Sequence, residues 1–238
     1  MNSTVSKITT RGYWKIIMQP STFKQDRIAN LLECQKRVEE CKVLLRGWDY
    51  PHFLVGKEDI VSANDYVWCA TDWEIYKEYW RFYQSGQFVH YFGCLEDWWQ
   101  GSTLDAKLGA QYKPGEALEL IMTMYRMTEI YEFASRLAQK GVFDKDVSLI
   151  VELHGMQGRR LISLTKTFFA AFGPYICQEA DLNFETTLVA QDLIARTAEH
   201  ALEQSLKVFE RFNWRDTRTP ENVSNLRVDQ RNLLERRL

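Results

Sequence analysis

Alternation of hydrophobic and polar positions predicts four β-strands along the chain. Residues 13–19 are rich in β-branched and aromatic side chains and end at Pro20, where a strand loses a backbone donor. The same signal recurs over 66–70, 87–95 and 147–154. A further strand at 159–162 follows a glycine-containing turn, so the last two segments together predict a hairpin. Residues 73–83 are predicted as a short helix or an irregular aromatic stretch.

Helical periodicity predicts three long helices. The first spans about 25–46, starts from a capping box formed by Thr22 and Gln25, and ends at Gly47. The second spans 116–140 with apolar positions on two sides, and the third spans 188–212. Strands and helices in this order predict an α+β or mixed α/β fold in which three long helices cover a sheet.

Domain organisation follows from the polar segments. Residues 1–213 are predicted to form one globular domain, with a subdivision near 105–115 as the alternative, because that segment contains Gly109, Pro114 and Gly115. Residues 214–238 carry six arginines and are predicted to form a basic C-terminal tail. Apolar residues within this tail leave a short terminal helix as an alternative.

Compartment is inferred from features that the sequence lacks. No run of about 18 uncharged apolar residues occurs, and the first residues show no apolar signal-peptide core. The five cysteines are odd in number and include no Cys-x-x-Cys pair, so reduced thiols are expected. The prediction is a cytoplasmic protein with no membrane partner.

Charge is distributed unevenly although the whole chain carries a net charge of −2. Residues 1–47 carry a net charge of +5, and residues 48–99 carry −6. Opposed charge on neighbouring segments favours association with a protein partner or a second copy, because it guides encounter and orientation. Solvation of an ordinary surface is the plain alternative.

Candidate chemistry is sparse. Dinucleotide, Walker A, nucleophile-elbow and zincin motifs do not occur, and neither a cofactor nor a metal is expected. The best catalytic candidates are Asp144, Asp146, Glu152 and His154, since metal-dependent nucleases and phosphodiesterases gather carboxylates around Mg²⁺. A polar strand edge explains the same residues without catalysis, so the chain is predicted with a leaning toward no enzyme activity.

Half of the aromatic residues fall between positions 48 and 99. Tyr and Trp are enriched at binding hot spots, although core packing is the plain explanation. The residues predicted to bind a protein partner are Trp48, Asp49, Tyr50, His52, Trp98 and Trp99. If nucleic acid binds instead, the basic first segment is the better face, through Arg11, Lys15, Arg27 and Arg46.

Three short segments carry a resemblance to known sequences. Residues 11–14 (RGYW), 45–52 (LRGWDYPH) and 84–88 (QSGQF) are similar to patterns in uncharacterised bacterial proteins, some of which carry a Schlafen-like DNA-binding domain. The resemblance covers about the first 100 residues and implies a bacterial cytosol and a nucleic-acid or phage-defence context, without assigning any site.

The leading prediction is therefore a non-enzymatic cytoplasmic interaction module that acts in a homo-oligomer or a larger complex. A metal-dependent nuclease or phosphodiesterase and a nucleic-acid-binding protein remain as alternatives.

Overall fold

A computed structural model describes residues 2–53, 60–100, 112–164 and 174–237. The strands are β1 (Tyr13–Pro20), β2 (Val61–Ala63), β3 (Tyr66–Trp73), β4 (Tyr76–Tyr83), β5 (Phe88–Gly93), β6 (Ala117–Glu119), β7 (Asp146–His154), β8 (Arg160–Ile162) and β9 (Asp181–Val189). The helices are α1 (Ser3–Ile8), α2 (Leu31–Cys41), α3 (Leu120–Gln139), α4 (Ala190–Ala195), α5 (Thr197–Glu210) and α6 (Pro220–Leu234).

Seven strands form one antiparallel sheet in the order β2-β3-β4-β5-β1-β7-β9. Strands β6 and β8 pair in parallel as a separate small sheet. The predicted α+β class is confirmed, and all the long helices lie on one side of the main sheet, while the short helix α1 lies on the other. We call the face under the long helices the inner face and the opposite one the outer face.

The inner face is mostly apolar, since the alternate residues of each strand that point toward the helices are mostly apolar. Trp14, Ile16 and Met18 of β1 are buried there, and Phe88 of β5 packs against Phe133 of α3, with ring centroids 4.8 Å apart. Helix α3 contacts α2, α4, α5, α6 and the small sheet, and it is buried around most of its circumference. It is therefore the central helix of the core.

Predicted and observed helices differ most at the first one. Helix α2 begins at Leu31, and the Asn30 side chain caps it by accepting from Glu33 N. The predicted start near 25 and the predicted Thr22 cap are therefore wrong, and so is the predicted end at Gly47, because the helix ends at Cys41. The preceding residues make tertiary contacts instead, for example Ile28 N to Gln84 O at 2.8 Å.

Two strand predictions are also corrected. Residues 76–83 form strand β4 rather than a helix, and a tight turn joins them to β3. Strand β7 does not form a hairpin with β8, because β7 lies between β1 and β9 while β8 pairs with β6. The predicted helix over 188–212 begins with the end of β9 and continues as α4 and α5.

Residues 214–237 fold back onto the domain. Thr219 caps α6, and Pro220 occupies its first turn. Leu226 and Leu233 of α6 are fully buried, and Gln230 Nε2 donates to Thr128 Oγ1 of α3 at 3.1 Å. The basic tail thus contributes an ordered helix to the core. Most of the segment predicted as a domain boundary, 105–115, lies outside the described residues.

The helices and the cysteines can be compared with the predictions on membrane spans and disulfides. No helix among the described residues is long and apolar enough to cross a membrane. All five cysteines are buried and unbridged: Cys34, Cys41, Cys69, Cys94 and Cys177.

Candidate interaction surface

One row of side chains on the outer face crosses all seven strands. The strand register places its members directly opposite one another in the order Val61, Trp68, Arg81, Val89, Ile17, Ile150 and Glu185. We call this set the outer row. Its central members are β-branched and apolar, and they are only partly buried although they point away from the core. An apolar centre on a solvent-facing sheet surface is typical of a contact site.

Polar side chains flank the outer row on both sides. On one side Lys15 Nζ lies 3.0 Å from Glu152 Oε1 across β1 and β7. On the other side Gln87 Nε2 donates to Gln19 Oε1 at 2.8 Å. An apolar centre with a polar rim is the usual anatomy of a protein–protein interface.

Helix α1 covers only part of the outer face. Val5 and Ile8 pack on Tyr79, with Trp68 and Tyr91 at the edge of the contact. The helix therefore lies over β3, β4 and β5 and contacts the outer row at Trp68. The central residues of the row do not belong to this cluster.

Two charges of the outer row lack a charged partner among the described residues: Arg81 and Glu185. The Arg81 guanidinium lies 4.9 Å from the Tyr66 ring centre and 5.2 Å from that of Tyr79. Glu185 is exposed on β9, and Ser148 Oγ donates to its Oε1 at 3.5 Å. The aromatic rings hold the cation in place without neutralising it.

Two of the predicted catalytic residues, Glu152 and His154, meet on the outer face. His154 Nε2 lies 2.9 Å from Glu152 Oε2, and its Nδ1 lies 3.1 Å from Asp181 Oδ1. Burial opposes ionisation of Glu152, but hydrogen bonds from Lys15 and His154 outweigh it and lower the pKa of Glu152. The result is a line of paired charges from Lys15 to Asp181 beside the outer row.

The other two predicted catalytic residues, Asp144 and Asp146, lie at the opposite end of β7. Asp144 pairs with Arg27 at 2.6 Å and with Lys24 at 3.0 Å. Asp146 begins the strand that His154 ends, about 26 Å away at the usual rise per residue. The four residues do not form one site. In the described ranges, no three His, Cys, Asp or Glu side chains are arranged to hold a metal.

The predicted partner-binding segment 48–52 is packed against the protein itself. The Trp48 ring is stacked between His52, 3.6 Å away, and Tyr76, 3.7 Å away, measured between ring centroids. Asp49 pairs with His52 at 2.5 Å, and Tyr50 is fully buried. Only part of the Trp48 and His52 surface remains for a partner.

Trp98 and Trp99 follow a 3₁₀ turn, Leu95–Asp97, and do not lie on a strand. Trp99 is buried. The Trp98 ring faces two cations of the same chain, with Arg11 Cζ 4.3 Å and Lys77 Nζ 5.6 Å from its centre. Its exposed face is thus already occupied in part.

A buried polar cluster that the sequence did not predict lies between the inner face and α3. Its members are Arg46, Glu78, His90, Arg126 and Glu129. The Arg46 guanidinium makes a bidentate contact to Glu129 at 2.6 and 2.8 Å. Arg126 Nη1 lies 3.8 Å from Glu78 and 3.6 Å from Glu129, and His90 Nε2 lies 3.2 Å from Glu78. In the sequence, this cluster is indicated by charged residues at positions of β4 and α3 where the pattern favours apolar ones.

Burial and mutual contacts set the charges of this cluster. Burial opposes ionisation of Glu78, but His90 and Arg126 outweigh it and lower the pKa of Glu78 to about 2. Burial lowers the pKa of His90, which favours the neutral imidazole. The cavity beside Arg126 has a volume of only about 20 Å³, enough for one water molecule. The cluster therefore fits a structural role better than substrate binding.

The four residues predicted to contact nucleic acid are all engaged within the chain. Arg11 contacts Trp98, Lys15 pairs with Glu152, Arg27 with Asp144, and Arg46 with Glu129. They also lie on different parts of the molecule, from the outer face to the interior. The structure does not bring them together as one basic surface.

Two open clefts lie away from the outer row. One, of about 530 Å³, is lined by Gly12, Gly155 and Asp181 above the buried Asp97–Arg159 pair. The other, of about 800 Å³, lies between segment 44–47, the start of α3 and the end of α6. Two arginines and two aspartates line the first cleft, whereas three arginines and one aspartate line the second.

Comparison of the chain with protein-family models, curated proteins and solved structures finds no match. The resemblance carried by residues 11–14, 45–52 and 84–88 stays a prediction. Functional inference therefore depends on the geometry described above.

Proposed function

We propose that this chain is a non-enzymatic cytoplasmic interaction module that binds a second copy of itself through the outer row. The observation that carries the proposal is the set of three partly exposed β-branched residues, Ile17, Val89 and Ile150, side by side on the outer face with polar rims. Burial of such apolar side chains against another surface is favourable, because it removes their surface from water.

The whole outer face, with α1 included, reaches the area of a small specific contact. Seven strands spaced about 4.8 Å apart span about 34 Å, and five residues of the longer strands add about 17 Å in the other direction. Contact over the whole face would bury about 600 Å² per copy, or about 1,200 Å² in total, which is the lower end of the range for specific protein–protein interfaces. Because α1 covers the face over β3, β4 and β5, its own surface has to supply part of that contact.

The charge-based form of the prediction receives less support than the apolar form. Cations of the basic segment 1–47 pair with carboxylates of the same chain, as Lys7 does with Asp72 at 2.7 Å and Lys42 with Asp49 at 3.8 Å. These charges are largely neutralised before any partner arrives. Apolar contact through the outer row is the stronger basis for association.

Native mass spectrometry and sedimentation velocity over a range of concentrations test the proposal. We expect a dimer that the Ile150→Asp variant loses, while Val228→Asp retains it. Val228 is the matched control because it is an exposed aliphatic residue, 50% accessible, on α6. Ile17→Thr provides a second variant that keeps the β-branched shape required by the strand; we expect it to weaken the dimer.

Circular dichroism establishes that each variant folds. A wild-type chain that stays monomeric at about 100 µM, a concentration well above a micromolar dissociation constant, would refute the proposal. A dimer that forms equally well in both outer-row variants would also refute it. Capture of nucleic acid by the wild type, without self-association, would favour the alternative of a nucleic-acid-binding protein.

A further inference from the structure

The charges of the outer row are placed symmetrically about strand β1. Ile17 of β1 lies between Val89 of β5 and Ile150 of β7. The next position outward is Arg81 on one side and Glu185 on the other. Each charge is thus two strands, or about 10 Å, from Ile17. The order is cation, three aliphatic residues, anion.

Such an order is self-complementary under two-fold symmetry. If two outer faces pack with a two-fold axis that runs parallel to β1 and passes between their Ile17 residues, the row of one copy runs opposite to the row of the other. Val89 then faces Ile150 of the second copy, and Arg81 faces Glu185 of the second copy. The symmetry generates each of these contacts twice.

Sheet twist leaves this pairing within reach. Packed sheets are commonly rotated by about 30° relative to each other, which displaces facing positions about 10 Å from the axis by roughly 5 Å. Arg and Glu side chains are long enough to close that offset. The remaining charges near the row, Lys15 and Glu152, are already paired within the chain, so they do not compete.

Helix α1 also stands on the outer face, over β3, β4 and β5 of its own sheet. The two-fold axis places α1 of the second copy on the opposite half of the face, over β7 and β9. The two helices therefore do not occupy the same space, but each is about 10 Å thick and lies between the two sheets. Contact along the outer row thus requires the sheets to lie closer together there than beside it.

We propose that two copies of this chain associate face to face about a two-fold axis at Ile17, with Arg81 of each copy paired to Glu185 of the other. This inference rests on the proposed function and adds its geometry. The chemistry that recognises the partner is a nonpolar sheet face with one cation and one anion at fixed distances from its centre.

Charge reversal followed by mixing tests this geometry. Arg81→Glu places two carboxylates opposite each other at both contacts, and Glu185→Arg places two guanidinium groups there. We expect each variant alone to dimerise at least about tenfold more weakly than the wild type, because two attractive contacts become repulsive. In an equimolar mixture both contacts become attractive again, so a heterodimer with near wild-type affinity is expected.

Native mass spectrometry resolves the heterodimer because the two variants differ in mass. Arg215→Glu is the control for Arg81→Glu: it makes the same change in net charge at an exposed residue outside the sheet, and its dimer should be unaffected. Far-UV circular dichroism of each variant verifies folding, and the heterodimer itself reports that both chains are competent.

The outcomes separate the two proposals. If Ile150→Asp abolishes the dimer but both charge variants dimerise normally, self-association through the outer row stands and the two-fold geometry is wrong. If both charge variants dimerise weakly and the mixture shows no preferential heterodimer, the Arg81–Glu185 pairing is also wrong. A monomeric wild type overturns both proposals.

Discussion

Removal of the carboxylate of Asp97 is expected to destabilise the protein strongly. Asp97 and Arg159 are each 1% exposed in their side chains. The carboxylate accepts from Arg159 Nη1 at 2.8 Å and Nη2 at 2.5 Å, and from the backbone N–H groups of Gly12 and Gly115 at 2.8 Å each. It thus connects the segment before β1 to the segment before β6.

Asp97→Asn is the smallest change that tests this role. The amide keeps one of the two acceptor oxygens, so two of the four hydrogen bonds are lost. Its NH₂ group then faces the two N–H groups that the lost oxygen had accepted from. A lost hydrogen bond to a charged group costs about 1.5–3 kcal/mol. Leaving one member of a buried ion pair unpaired costs about 3–5 kcal/mol. We expect the unfolding free energy to fall by about 3–5 kcal/mol and the melting temperature by about 10 °C.

Urea denaturation followed by tryptophan fluorescence measures the change. Glu199→Gln is the control, because Glu199 pairs with Arg196 at 2.7 Å where both side chains are more than half exposed; no resolvable change in its midpoint is expected. If Asp97→Asn lowers the unfolding free energy by less than about 1 kcal/mol, the buried pair is not a structural requirement.

Three further predictions concern the interior. Burial raises the pKa of Glu119 to about 7, against 4.5 in an unfolded chain, so the folded state holds the proton longer. The unfolding free energy should therefore decrease as the pH rises from about 4.5 to 7. In urea unfolding, the Glu119→Gln variant should show a weaker dependence of the unfolding free energy on pH over this range. Burial raises the thiol pKa to about 12 at Cys34 and about 11 at Cys41, so an aromatic disulfide reagent should label them only after unfolding. Trp48→Phe removes the 3.0 Å bond from Nε1 to Glu78 and should lower the unfolding free energy by about 1–2 kcal/mol in the same urea assay.

Strands could be predicted wherever one face is apolar and the other polar. Residues 13–19 alternate in this way and form β1, and 147–154 form β7. Strand β4 could not be predicted, because Glu78 occupies an inner-face position and interrupts the alternation. Its burial depends on His90 and Arg126, which are distant in sequence and supply the opposing contacts.

Helix limits depend on contacts that local pattern does not contain. Residues 25–30 have helical spacing, yet Arg27 pairs with Asp144 and Ile28 bonds to Gln84. These long-range contacts compete with the helix and move its start to Leu31. The outer row was also beyond prediction. Its members come from seven strands, and only the strand register places Arg81 and Glu185 on one line.

Neutralisation within the chain also bears on the alternative functions. A phosphate backbone that recruits Lys15, Arg27 or Arg46 has to displace a carboxylate that already contacts each of them, at 3.0, 2.6 and 2.6 Å. Exchange of one anion for another releases little binding free energy, so the steep salt dependence of nucleic-acid binding is not expected from these residues. Arg81 and Glu185 are different, since neither has a charged partner among the described residues. A surface with one such charge of each sign beside apolar residues matches a copy of itself more closely than it matches a polyanion.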